Sequence, residues 1–303
     1  MLYLNLKLYI LNMKPLYLKK NTQSPTSSFL ALKTEVPHIY DKWHYHKELE
    51  LLYVIKGSGT RFIGDSVQEF DHGDMVLVGP NLPHVWKSDK IYYTDESLKA
   101  TVILIQFVED FMGRELLLLP EMQGINELIS NSVRGIKLSP EAKTNIGPLL
   151  ETLVSSRGSK RIILLLEILQ LMSEDKYELL SSNWFSSSYM ETQNSRINKV
   201  YDYIIANFDQ KITLNELAGI AHMNNAALCR YFKASTKKTV TEFINELRIG
   251  YAYNLIHTKN YSVTQACFES GFNNLSYFHR QFKKKIGHSP SVVKKNMKQV
   301  SIS

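Results

Sequence analysis

Four side chains in the first third of this 303-residue chain have the types and spacing to hold a cation. His44 and His46 are two apart, so a strand turns both to one face, and Glu50, four residues further on, shares that face. His84 follows on a later run, "GDMVLVGPNLPH". Imidazole nitrogens and a carboxylate converging inside a small barrel make a competent site for a divalent transition metal. The same residues could instead contact a sugar or an acid directly, or hydrogen-bond among themselves within the barrel. Trp43, Tyr45, Tyr53 and Trp86 lie close by in sequence and could line a small-molecule pocket, since aromatic faces suit sugar rings.

A different chemistry is written twice in the last third. "RYFK", Arg230 to Lys233, returns as "RQFK", Arg280 to Lys283, and each tetrad follows an Asn-Asn pair, Asn224-Asn225 and Asn273-Asn274. The arginines have little claim on a core and stay exposed, while Leu228, Phe232, Phe278 and Phe282 face inward. Two helices joined by a tight turn, the second capped by Asn and ending in Arg and Lys, can place that second helix in a major groove. Lys284 and Lys285 would then neutralise phosphates.

The elements that must position these groups differ between the two regions. From about Val36 to Phe107 short β runs alternate with turns. "LELLYVIKGSGTRFIG" reads as a hairpin across Gly57-Ser58-Gly59, and "ATVILIQF" as a fully apolar strand. From Pro140 the period becomes helical, and "RIILLLEILQLM", Arg161 to Met172, is more apolar than one packed face needs. It predicts a dimer seam with Leu165 and Ile168 at its centre. Ser181 to Ser195 is rich in Ser and Asn and reads as a linker. Beyond it Thr213, with Glu216 three residues on, caps "LNELAGIA", Asn224 caps "NAALCRYFKA", and Glu242 to Ile256 forms a longer helix. Then Ser262 caps "VTQACFES", Gly271 makes the turn and Asn273 caps "NLSYFHRQFKKK".

Bulk properties agree with two functions in one chain. Residues 196–303 carry 16 Lys/Arg against 6 Asp/Glu, a balance of +10, whereas residues 1–195 carry 20 against 23, a balance of −3. A basic half behind a mildly acidic one suggests a polyanionic partner. Two cysteines, Cys229 and Cys267, cannot build a disulfide framework and suit a reducing cytoplasm. No run of about eighteen apolar residues predicts a membrane span. At the start, Leu2, Leu4, Leu6 and Leu8 alternate as in a strand; alternatively the segment is upstream sequence and Met13 is the true start.

The C-terminal hundred residues resemble the DNA-binding domain of the AraC/XylS transcription regulators. "GFNNLSYFHRQFKKKIGHSPSVV" matches that family's run of Gly-Phe, Tyr-Phe, Arg-x-Phe-Lys and Gly-x-Ser-Pro, departing at Val293, where the family usually has an aromatic residue. The resemblance implies two helix-turn-helix units joined by a rigid helix and set in successive major grooves. It also implies that Asn225, Ala226, Cys229 and Arg230 face bases in one unit, and Leu275, Ser276, His279 and Arg280 in the other, with Lys233, Lys283 and Lys284 at the DNA. "WHYHKELELLYVIKG" resembles the cupin metal motif: His-x-His, three residues, Glu, six residues, Gly57. Here His38 stands where a Gly is expected, and Gly79 and Asn81 replace the usual Pro and Gly before His84.

The expected fold is an α+β multidomain protein. Residues 1–35 form an N-terminal segment, 36–110 a cupin-like sensor barrel, 111–180 a helical dimerisation region, 181–195 a linker and 196–296 an all-α double helix-turn-helix domain. The expected activity is sequence-specific binding of promoter DNA by a cytoplasmic homodimer, with RNA polymerase a further candidate partner. A sugar or related metabolite would control it from a pocket of Trp43, His44, His46, Glu50, His84 and Trp86. No cofactor is required, though a divalent metal is a candidate at His44, His46, Glu50 and His84. The rival is a metal-dependent cupin isomerase or dioxygenase with a basic tail, which two capped, Arg-bearing helices argue against.

Overall fold

A computed structural model describes residues 16–17, 27–183, 185, 196–236, 238–257 and 261–300. The alternation at Leu2 to Leu8, the choice between Met1 and Met13 and most of the expected linker lie outside them. The chain divides into two compact units, one within residues 15–190 and one within 191–303.

The first unit is built on two sheets. One contains β1 (Leu16–Tyr17), β3 (His44–Tyr45), β5 (Gly59–Ile63), β6 (Ser66–Phe70) and β8 (His84–Ser88), in the order β1-β3-β8-β5-β6. The other contains β2 (Leu30–Val36), β4 (Leu49–Lys56), β7 (Met75–Val78), β9 (Ala100–Phe107), β10 (Ile136–Lys137) and β11 (Glu178–Leu179), in the order β11-β10-β7-β4-β9-β2. Strand β1 and all of β2 but Val36 fall within residues 1–35, yet their pairing with β3 and β9 makes them part of the sheets and not a separate segment.

The expected hairpin across Gly57-Ser58-Gly59 is not formed. β4 pairs with β7 and β9, and β5 with β6 and β8, so residues 57–58 carry the chain from one sheet to the other. Gly59 already belongs to β5, where a Cβ would fall 2.2 Å from the Lys87 carbonyl oxygen. The true hairpin partner of β5 is β6, reached through Gly64-Asp65 with Gly64 at a φ of 55°.

β4 is buried on both faces, which is why its sequence is nearly all apolar. Leu49, Leu51 and Tyr53 point outward into a core shared with three helices: α1 (Gln123–Asn131), α2 (Ala142–Ser155) and α3 (Ser159–Glu174). Glu50, Leu52 and Val54 point inward, toward the other sheet. α3 turns Leu164, Leu165, Ile168, Leu169 and Met172 into the outer core. Leu165 and Ile168 therefore cannot form the expected dimer seam; the apolar side chains left outside are Ile162 and, at 62% exposure, Ile163. The expected linker also begins later. Asp65 accepts hydrogen bonds from Ser181 Oγ at 3.0 Å and from the Ser182 N–H at 2.9 Å, and Phe185 is buried.

The second unit is helical: α4 (Arg196–Asn207), α5 (Leu214–Ala221), α6 (Asn225–Thr236), α7 (Val240–His257), α8 (Val263–Glu269), α9 (Leu275–Ile286) and α10 (Pro290–Val300). Reciprocal capping boxes start α5, from Thr213 and Glu216, and α8, from Ser262 and Gln265. Asn224 Oδ1 accepts the Ala227 N–H at 2.8 Å to start α6. The cap of α9 is Asn274, not Asn273: its Oδ1 accepts the Tyr277 N–H at 2.7 Å. Thr213 and Ser262 are 49 apart but Asn224 and Asn274 are 50 apart, so the second turn is one residue longer. Val293, smaller than the aromatic residue expected there, is buried.

Both turns need a left-handed residue, His222 at a φ of 52° in the first and Gly271 at 83° in the second. A Cβ on Gly271 would also lie 2.7 Å from the Phe208 carbonyl oxygen. His222→Gly is therefore expected to change stability by no more than about 1 kcal/mol, because relief of left-handed strain offsets the entropy of Gly. Gly271→Ala is expected to cost roughly 2 kcal/mol or more, since strain and backbone overlap add. Thermal unfolding followed by helical circular dichroism compares the two; equal, small effects would show that the second turn yields freely.

Candidate nucleic-acid interface and barrel site

His44 on β3 lies opposite His84 on β8, and Glu50 on β4 opposite Gln106 on β9. One ligand atom from each of His44, His46, Glu50 and His84 lies within 4.8 Å of the other three, and all four residues are buried. Each imidazole is oriented from behind. His44 Nδ1 lies 2.8 Å from the Lys42 carbonyl oxygen, His46 Nδ1 3.0 Å from that of Glu48, and His84 Nδ1 2.7 Å from that of Leu82. A carbonyl only accepts, so each Nδ1 carries a hydrogen and each Nε2 faces the cluster, where the proton shared between His46 Nε2 and Glu50 Oε2 would leave on metal binding.

These Nε2 atoms meet a carboxylate. His46 Nε2 is 3.0 Å from Glu50 Oε2, and His84 Nε2 is 3.7 Å from Glu50 Oε1. The Gln106 side-chain N–H donates to Glu50 as well. Burial, and then the neighbouring His44, hold the His84 pKa well below the usual histidine range, so its ring is neutral at neutral pH. His84 Nε2 makes no hydrogen bond among the described residues. An inward-facing, unprotonated nitrogen beside two more imidazoles and a carboxylate fits a divalent transition metal.

Of the aromatic residues expected at the pocket, Trp86 shares the inner face with His84, with ring centroids 5.6 Å apart. Its Nε1–H finds no acceptor among the described residues. Trp43 is buried just before β3. Tyr53 is not at the site: it faces outward toward Gly147 of α2. Tyr45, one residue from His44, takes the other side of β3 by alternation.

Residue order alone did not reveal Gln106, Glu48 or Arg61. Arg61 is 1% exposed and lies opposite Trp86 on the inner face. It donates to Asp74 Oδ2 at 2.5 Å, to the Glu69 carbonyl oxygen at 2.6 Å and to Gln68 Oε1 at 2.7 Å. The available signal was a long polar side chain inside a strand-like run, Gln106 in "ATVILIQF" and Arg61 in "GTRFIG".

In the helical unit, Leu228, Phe232, Phe278 and Phe282 are fully buried, and this turns the opposite face of each second helix outward. Ala226, Cys229, Arg230 and Lys233 are exposed along α6. Asn225 is exposed too, but its Nδ2 donates to Asn215 Oδ1 at 2.6 Å. On α9, Leu275, Ser276, Arg280, Lys283 and Lys284 are exposed, while His279 is half-buried against Phe278. The Arg280 guanidinium lies 5.3 Å from the centre of the Tyr277 ring. Lys285, expected to neutralise phosphate, pairs with α7, its Nζ 3.0 Å from Glu246 Oε1. Among the described residues no helix is long and apolar enough to cross a membrane.

Residues 217–296 match a helix-turn-helix domain family and residues 34–91 a cupin domain family. An uncharacterized HTH-type transcriptional regulator, YdeC of Bacillus subtilis, is 22% identical over 94% of this chain and 96% of its own length. The melibiose operon regulatory protein of Escherichia coli is 21% identical over 93% of this chain and 94% of its own. A crystal structure of a probable AraC family transcriptional regulator from Rhodopseudomonas palustris aligns with 34% of this chain and 96% of its own, at 26% identity and a TM-score of 0.32. With a cupin domain, a helix-turn-helix domain and transcription regulators as relatives over nearly its whole length, the chain is an AraC-type DNA-binding transcription regulator.

Proposed function

We propose that this regulator reads promoter DNA with α6 and α9 and is controlled by a small molecule held in its cupin barrel. Ala226, Cys229 and Arg230, with the less available Asn225, would meet bases in one groove. Leu275, Ser276, His279 and Arg280 would do so in the next, roughly 34 Å along the duplex. Lys233, Lys283 and Lys284 would hold phosphates. The supporting observation is the paired build of two capped helices, each with a buried Phe stripe and an exposed Arg on the opposite side.

Replacing Arg230 or Arg280 by Ala is expected to weaken specific binding by about 1–3 kcal/mol and to relax preference only within its own half of the site. Selecting sites from a random DNA pool with each variant measures this. Identical motifs at lower affinity would move both arginines from bases to the backbone.

In the barrel, His44, His46, Glu50 and His84 would hold a divalent metal, which when bound would supply a Lewis-acidic anchor for effector oxygen atoms. The inner Trp86 N–H and Gln106 Oε1, both without partners among the described residues, suit the hydroxyl groups of a sugar or related metabolite. Titration of purified protein with Zn²⁺, Mn²⁺ or Co²⁺ is expected to show one ion per chain, lost in Glu50→Ala and His84→Ala. Absence of uptake by the wild type would leave a direct hydrogen-bonding site for the effector.

The working form would be a cytoplasmic homodimer that recruits or obstructs RNA polymerase, with its seam on the outer face of α3. Ile163→Glu is expected to produce monomers at micromolar concentration with the fold intact, whereas Leu165→Glu should unfold the barrel unit. Sedimentation beside circular dichroism separates the two outcomes, and a dimeric Ile163→Glu variant would place the seam elsewhere.

A further inference from the structure

α7 joins the two helix-turn-helix units, and one of its carboxylates lies between lysines that belong to different units. Glu246 Oε2 accepts from Lys238 Nζ at 2.5 Å, and Glu246 Oε1 accepts from Lys285 Nζ at 3.0 Å. Lys238 lies in the connection after α6, and Lys285 in the last turn of α9. The far ends of both candidate recognition helices are thus drawn to one point on α7. Partial burial alone would raise the Glu246 pKa, but the hydrogen bonds from Lys238 and Lys285 outweigh it and hold the carboxyl below its usual range.

Neighbouring residues of α7 brace the same joint. Asn245 Nδ2 donates to the Tyr277 hydroxyl of α9 at 2.7 Å. Arg248 donates through Nε to the Phe208 carbonyl oxygen and through Nη2 to that of Gln210, each at 2.7 Å, with its guanidinium over the Phe272 ring. Gly271 presses on the same turn at Phe208 and Asp209. These other ties keep the domain folded without Glu246, though none of them reaches the end of α6, and half-exposed ion pairs add little to stability. The Glu246 pairs are therefore dispensable for folding.

Their effect falls on DNA. A lysine held by a carboxylate releases no counterion from a phosphate, and binding that ignores sequence depends almost wholly on such release. We propose that Glu246 is a specificity-determining positioning residue: it holds Lys238 and Lys285 away from phosphates and fixes the angle between α6 and α9. Sequence-independent binding is weakened more than binding to the true site, and the permitted spacing between the two half-sites is narrowed.

The test uses full-length protein, a duplex selected by the wild type from a random pool, the same duplex with one or two base pairs inserted between half-sites, and an unrelated duplex. Binding is measured between 50 and 200 mM salt, on the order of the range where phosphate contacts dominate. In Glu246→Gln, affinity for the unrelated duplex should rise tenfold or more, on the order expected from two added phosphate contacts, and the salt slope should steepen by up to about 1.8. The penalty for inserted base pairs should shrink, while Glu246→Asp, which keeps the charge, should stay near wild type. A Lys238→Gln/Lys285→Gln double variant should keep the wild-type salt slope and lose spacing discrimination. It decides the question even if Glu246→Gln folds poorly. A double variant with a slope shallower by about 1.8 would show that both lysines already reach phosphate in the wild-type complex, and the proposal falls. Unchanged spacing preference in both variants overturns it equally.

Discussion

A strand presents its side chains alternately to two sides, and β4 has no side that faces water. Every feature of the barrel unit answers to that constraint. The outer side chains Leu49, Leu51 and Tyr53 require cover, which α1, α2 and α3 supply. The inner side chains close against the opposite sheet, and there a single carboxylate, Glu50, must be compensated. Two imidazoles and the Gln106 amide surround it. The polar site exists because one acidic residue sits on the inner face of an otherwise apolar strand, within reach of side chains from three other strands.

The helical unit obeys a different economy. Its groups that face solvent are held by local hydrogen bonds, capping boxes at Thr213, Thr239 and Ser262 and Asn caps at Asn224 and Asn274, while its core is aromatic: Tyr201 stacks on Phe232, and Phe278 packs between Phe272 and Phe282. Inward phenylalanines at fixed helical phase leave each arginine only one direction to point. The exposed chemistry is set by the buried packing.

How much could be seen in advance follows from the range of the forces involved. His44, His46 and Glu50 do come together, but not by the alternation of one strand: His44 lies on β3 and Glu50 on β4, in different sheets, and the two-residue period could not show that. The Thr213 and Ser262 caps were legible, because they act over three residues. Strand pairing was not legible: the run from β4 to β5 has hairpin composition, but what each strand buries on its two faces decides its neighbours. Ile163 and Leu165 are equally apolar, and only the position of the sheet beneath α3 tells them apart. Asn273 and Asn274 could each cap a helix; the backbone of a turn one residue longer made the choice.

That longer turn makes the two copies of the duplicated unit unlike. Their outward faces differ as well, small Ala226 and Cys229 on one, Ser276 and His279 on the other. Two identical modules in tandem would call for the same half-site written twice. Unlike modules joined in a fixed order by α7 would call for two different half-sites in one fixed order, so the sequence of a site, and not only its spacing, would set which way round a chain lies on the duplex.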